Sequence, residues 1–137
     1  MRESDLPRVD LESMNRDHDD QVEMLNAAIA ALDAHDGSEK TLQALDEALE
    51  DFAEHTREHF RQEDDQMKRY DFPPFELHTE AHHSAIALLD RTLAQWKEDR
   101  DVEALGRYLR EEFPGWLVHH VTMMDTFAAQ YISGNAH

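Results

Sequence analysis

The chain contains no cysteine, which excludes a disulfide framework, a thiolate metal site and a catalytic thiol. Any chemistry has to be carried by histidine and carboxylates. Basic residues are scarce: 13 Lys and Arg stand against 31 Asp and Glu, a formal net charge of −18. Nucleic acid and anionic membrane surfaces are polyanions, so neither is an expected partner. Apolar runs are short, the longest being Ala27 to Leu32, against the roughly 20 residues that a membrane-spanning helix needs. The stretch from Arg2 to Asp10 is too polar for a signal peptide. A soluble, cytoplasmic protein is the expectation. With only four Gly and four Pro and no strand-like alternation, the composition leaves helix throughout, and the expected fold class is all-α.

The 137 residues fit a single domain over 1–137, and a chain near this length buries roughly 68% of the surface its unfolded form exposes. Behind a polar N-terminal arm, Val22, Leu25, Ile29 and Leu32 recur at helical spacing over Ser13 to Ala34, with His18 on the same stripe. Asp36-Gly37-Ser38 reads as a loop with Ser38 as N-cap. Leu42, Leu45, Leu49, Phe52, Thr56, His59, Glu63 and Met67 then follow at steps of three and four, so the apolar seam runs directly into a His and a Glu. Pro73-Pro74 is expected to stop this second helix and open the third, which carries Phe75, His78, His82, Ala85, Leu89, Leu93 and Trp96. The fourth starts near Asp101, is kinked or restarted at Pro114-Gly115, and presents Leu117, His120, Met124, Phe127 and Tyr131 inward. Four such helices with short connections predict an antiparallel, up-down-up-down four-helix bundle with a short N-terminal arm.

One histidine on an apolar face is usually a hydrogen-bonded core residue. Here all four seams carry one. Burying His18, His59, Glu63, His78, His82, His120 and Asp125 together without a cation would desolvate two carboxylates at several kcal/mol each. Residues four apart share a helix face, so His59 with Glu63, and His78 with His82, can converge from one helix. Imidazole and carboxylate without thiolate suit iron, manganese or zinc, and seven donors exceed the four of a closed structural zinc site, which points to two carboxylate-bridged metals. His83 and His119 each lie one residue, about 100° of rotation, from a proposed ligand and should face away; His35, His55 and His137 read as loop, flank and tail. The five-residue step from His120 to Asp125 leaves the two about 140° apart on a regular helix. Either Asp125 reaches in from the edge of the seam, or a π-bulge brings it into phase.

His18 alone on the first helix, His59-Phe60-x-x-Glu63 on the second, His78-x-x-x-His82 on the third and Trp116-Leu117-x-x-His120-x-x-x-x-Asp125 on the fourth resemble the ligand set of the hemerythrin family. The resemblance spans nearly the whole chain. It implies two iron ions, one on His78, His82 and His120, the other on His18 and His59. Glu63, Asp125 and an oxo or hydroxo group would bridge them, with one position open to dioxygen on the two-histidine iron. Phe60, Trp116 and Val121 would line an apolar pocket. Gln21 and Thr122 stand where apolar pocket residues are usual, and Asp64 where a second Glu often follows. Gln21, beside His18, is expected to offer an amide donor toward the open position.

A ferritin-like carboxylate site needs Glu-x-x-His on two helices, and the one match, Glu80 to His83, is turned away from the seam. No His-Glu-x-x-His occurs, and the acidic run Glu47 to Glu54 lacks the glycine-containing loop of a calcium site. Two classes remain: a carrier, store or sensor that reversibly binds dioxygen, or a di-iron enzyme reacting with dioxygen, peroxide or nitric oxide. The absence of a general acid or base outside the seven favours binding.

Overall fold

The computed structural model describes residues 1–135, and all regular structure among them is helical. Helix α1 spans Glu12–Ala34, α2 Glu39–Arg69 and α3 Phe75–Asp99. The fourth rod is continuous from residue 102 to residue 135 and is built of α4 (Val102–Arg107), α5 (Phe113–His120) and α6 (Thr126–Asn135), joined by two π-helical turns, Tyr108–Glu112 and Val121–Asp125. Successive rods are linked by short connections and must run antiparallel, which gives the expected four-helix bundle. No described helix is long and apolar enough to cross a membrane.

The ends of the rods follow local chemistry. Ser38 caps α2, its hydroxyl accepting from the Thr41 N–H at 3.3 Å, and Asp101 caps α4 by accepting from the Ala104 N–H at 3.1 Å. Helix α2 stops at Arg69, ahead of the prolines, because the chain turns through Asp71 at φ 51°. Pro73-Pro74 therefore only opens α3. At Pro114 a new α-helical segment begins, with the proline in its first turn, and helical structure is not interrupted. Proline lacks an N–H and crowds the carbonyl four residues back; in the wider turn just before it, the Phe113 N–H bonds to the Tyr108 carbonyl five residues away, and the rod continues.

The N-terminal arm is less polar in its contacts than in its composition. Leu6 and Val9 are buried, and the Asn15 side chain accepts from the Val9 N–H at 2.9 Å and donates to its carbonyl at 3.0 Å. One amide thus satisfies both backbone groups of a buried residue outside the helices. The core runs through Leu25, Leu45, Phe52, Leu89, Leu109 and Leu117. On the first seam Ala28 is buried and Ile29 only partly so.

Candidate metal centre

Each rod delivers its share of the site from the inner stripe: α1 brings His18, α2 His59 and Glu63, α3 His78 and His82, and the fourth rod His120 and Asp125. All seven side chains are 2% exposed or less. Asp125 gets there through the second π turn. A π turn closes over five residues rather than four, shown by the Thr126 N–H bonding to the Val121 carbonyl, so Asp125 occupies the position below His120 that residue 124 would otherwise hold. The inward register beyond the turn shifts by one. Ala128, Ala129 and Ile132 face the core, whereas Met124 and Tyr131 are half-buried and Phe127 is 57% exposed, contrary to the regular-helix expectation.

The donors form two groups that share Glu63: Glu63, His78, His82, His120 and Asp125 in one, His18, His59 and Glu63 in the other. Glu63 Oε2 lies 3.0 Å from His59 Nε2 and 3.4 Å from His18 Nε2, while its Oε1 is 3.2 Å from His82 Nε2. Asp125 Oδ2 is 3.0 Å from His18 Nε2, and its Oδ1 is 2.8 Å from His78 Nε2 and 3.2 Å from His120 Nε2. Both carboxylates therefore face donors of both groups.

The histidine geometry fits a metal better than a hydrogen-bond network. Nε2 of His78 and Nε2 of His82 each lie 3.0 Å from Nε2 of His120. A ring nitrogen has either one proton or one lone pair, so the two contacts cannot both be hydrogen bonds. Three imidazole nitrogens bound at right angles to one cation at roughly 2.1 Å would be separated by about 3.0 Å. Glu63 Oε1 and the Nδ1 atoms of His18 and His78 are buried without a hydrogen-bond partner.

The surrounding residues hold the rings. His82 Nδ1 donates to Asp64 Oδ1 at 2.8 Å, and Asp64 also accepts from Thr79 Oγ1 at 2.9 Å. His59 Nδ1 donates to Gln21 Oε1 at 3.2 Å; the Gln21 amide donates to Thr56 Oγ1 at 2.8 Å, and Thr56 donates to the Phe52 carbonyl at 2.7 Å. Both chains turn Nε2 of their histidine to the cluster. Phe60 stacks on His82 at 4.2 Å between ring centroids, and Trp116 on His120 at 4.5 Å. Val121 is fully buried.

Thr122 is exposed and lies in a surface groove with His119, away from the cluster, because it follows His120 by two residues on the rod. Gln21 is fully buried; its amide nitrogen donates to Thr56 and its oxygen accepts from His59, so it positions that ring. His83 and His119 face solvent as expected, and His35 and His55 are half-buried outside the cluster; His137 lies outside the described residues. The sequence alone gives no role to Thr56 or to the Asp64 side chain. Their signal was position alone, Thr56 on the seam three residues before His59 and Asp64 beside Glu63.

Removal of the Gln21 side-chain amide tests the positioning role. Gln21→Leu leaves the His59 Nδ1–H without its buried acceptor, at about 1–3 kcal/mol, while the Thr56 hydroxyl loses one donor and keeps its bond to the Phe52 carbonyl. The variant is expected to unfold at lower denaturant concentration than the parent and to release metal to a chelator faster. Gln66→Leu, at a half-buried site on α2 whose amide reaches only Ser13 at 3.5 Å, should change neither by a comparable amount. Equal release rates in the two variants would count against the role.

The electrostatics of the cluster's own side chains follow from its geometry. Burial alone pushes His18 down, but Asp125 and Glu63 outweigh it and lift the imidazolium to about 10. Burial likewise opposes protonation of His82, and Asp64 with Glu63 raises it to about 9. Burial raises the Glu63 and Asp125 carboxyls, and for Asp125 nearby Glu63 adds to it; the histidines around them prevail and hold both well below the usual carboxylate range. Protons on His18 and His82 thus balance the two carboxylates at neutral pH. They stabilise the metal-free fold fully below the ordinary histidine value of 6.5, and that contribution is lost as pH rises through about 9 and about 10. A cation must displace these protons. Apparent metal affinity is therefore expected to rise with pH, by about tenfold per unit for each proton displaced. Ferrous titrations against a competing chelator at pH 6, 7 and 8 check the slope, and a flat profile would contradict it.

An all-helical bundle with a buried His and carboxylate cluster across its four rods defines a helical protein whose donor set fits non-thiolate metals. The sequence profile of the Hemerythrin HHE cation binding domain matches residues 9–129. This chain belongs to the hemerythrin family, which implies a non-haem di-iron site. It is 29% identical over 119 residues to a bacteriohemerythrin of Aquifex aeolicus (strain VF5), covering 87% of each chain. It is 37% identical over 86 residues to a bacteriohemerythrin of Ralstonia nicotianae (strain ATCC BAA-1114 / GMI1000), covering 63% of this chain and 61% of that one. No solved structure matches.

Proposed function

We propose that the protein reversibly binds dioxygen at a di-iron site whose protein ligands are His18, His59, Glu63, His78, His82, His120 and Asp125. The observation that carries this reading is the unequal division of donors, five around one position and three around the other, with Glu63 common to both. Glu63 and Asp125 each face donors of both groups, which supports them as bridges, together with a small oxo or hydroxo group. The group of three leaves room for an external ligand.

The chemistry supplied by the bound di-iron pair is uptake of dioxygen with electron transfer from the ferrous metals. The chain's own residues orient and shelter that chemistry. Gln21 and Asp64 hold His59 and His82 in the tautomer that presents Nε2. Phe60 and Trp116 cover the ring faces of His82 and His120 and keep water from them. Asp64 Oδ1 accepts from both His82 and Thr79 and so fixes the His82 ring.

Reduction with dithionite under anaerobic conditions, followed by air, is expected to generate a visible absorption band that removal of oxygen reverses. The sample should contain about two irons per chain. One metal per chain, or steady consumption of oxygen without an accumulating coloured form, would reject the carrier reading.

A further inference from the structure

The π turn that brings Asp125 into the cluster also rebuilds the surface behind it. Phe127 turns outward and, with Leu77 and Met123, forms a group of large apolar side chains that are 57, 60 and 54% exposed. Together with Phe72 and Met124 they wall a cleft of about 210 Å³ between the 70–74 connection, the start of α3 and the fourth rod. No charged residue lines it, in a chain of net charge −18.

Its inner wall includes His78, which is 2% exposed. The Nε2 atom of that ring faces Asp125 and His120 in the cluster, and its Nδ1 is buried with no hydrogen-bond partner. An unpartnered buried nitrogen costs about 1–3 kcal/mol unless something satisfies it. Among the cleft's lining residues, His78 is the one with a polar side chain.

The geometry points to a binding site in this cleft for a small uncharged molecule, an apolar ring or short chain carrying one hydrogen-bond acceptor that meets His78 Nδ1–H. Size sets the class. A cavity of roughly 150 Å³ accepts benzene, so about six to eight non-hydrogen atoms fit here. Charge sets it too, since nothing in the lining would compensate an ion. The preference for an acceptor rests on the di-iron reading: a metal on Nε2 takes that atom's lone pair and leaves the ring proton on Nδ1. Without metal, the proton can remain on Nε2 against Asp125, and the preference should vanish. The apolar walls do not depend on metal.

Cyclohexanone and methylenecyclohexane, the same ring with and without an acceptor, are suitable probes in calorimetric or ligand-observed NMR titrations. Iron content is measured first, and iron-loaded and metal-free protein are titrated in parallel. Both forms are expected to bind either ring saturably, one per chain, with a roughly millimolar Kd. The iron-loaded form should favour the ketone by about fivefold. Leu77→Asp and Phe127→Asp, at exposed positions that tolerate a carboxylate, should weaken binding at least tenfold, whereas Leu88→Asp, at another exposed leucine, should not. No saturable binding in either form, or binding indifferent to Leu77→Asp and Phe127→Asp, overturns the site whatever the iron content. Equal affinities for ketone and alkene in protein carrying two irons overturn the role of His78. A chain that binds the rings but no iron overturns the di-iron reading and leaves the cleft standing.

Discussion

Glu63→Ala is expected to lower iron content from about two per chain to less than one. Glu63 is fully buried at the centre of the bundle, and it alone belongs to both donor groups. Its two oxygens face His18 and His59 on one side and His82 on the other. On the di-iron reading, removing it would take a donor from both positions at once and one of the two negative charges that would offset the cations. The three-donor position is left with two neutral imidazoles and whatever Asp125 supplies, too little to hold a ferrous ion against water. A methylene and carboxylate are also lost from a packed core, so a folding control is required. Glu63→Gln keeps the shape and one acceptor oxygen while removing the charge, and it is expected to fold and still lose metal. Elemental analysis after anaerobic ferrous loading and gel filtration reads the result. Retention of two irons by Glu63→Ala would show that the carboxylate is not a shared ligand.

His78→Ala is expected to destabilise the iron-loaded protein far more than His83→Ala. The two side chains lie on the same helix but on different faces: His78 is buried with its Nε2 3.0 Å from that of His120, whereas His83 is in solvent. A ligand that binds only the folded state stabilises it by RT ln(1 + [L]/Kd), about 4 kcal/mol when metal is at a thousandfold its Kd. For a domain near this size each kcal/mol moves Tm by roughly 3–6 °C. The iron-dependent part of Tm, loaded minus metal-free, should therefore fall by about 10 °C or more in His78→Ala and by about 1 °C or less in His83→Ala. Using that difference removes the packing cost of truncating a buried ring, which is present with and without metal. Equal iron-dependent increments in the two variants would place His78 outside the ligand set.

Most of the candidate cluster is legible in the sequence. Helical periodicity places residues three and four apart on one face, so the seams of α1, α2 and α3 led directly to His18, His59, Glu63, His78 and His82, and the same rule turned His83 and His119 outward. Composition settled the chemistry available, because a chain without cysteine can hold soft-metal thiolate sites nowhere, and buried carboxylates call for cations. Asp125 was the exception. A fixed rotation of about 100° per residue cannot report an added residue in a turn, so the sequence left two routes for it, and the same ignorance put Phe127 in the core. The structure resolves both through the single π turn at Val121–Asp125.

The remaining decisions belong to tertiary contact. Gln21 has the same chemistry whether it faces a pocket, solvent or a neighbouring helix; that its oxygen meets His59 and its nitrogen meets Thr56 depends on how closely α1 and α2 approach. Asp64 likewise becomes the partner of His82 only because α3 lies beside α2. Local pattern, a property of one helix at a time, determined which side chains enter the core of this protein and what metals they suit. Which atoms touch once they are there, and therefore which ring nitrogens are held, which carboxylate spans both groups and which polar atom is left without a partner beside an apolar cleft, was decided by the packing of the four rods, because those distances are set between helices and not along them.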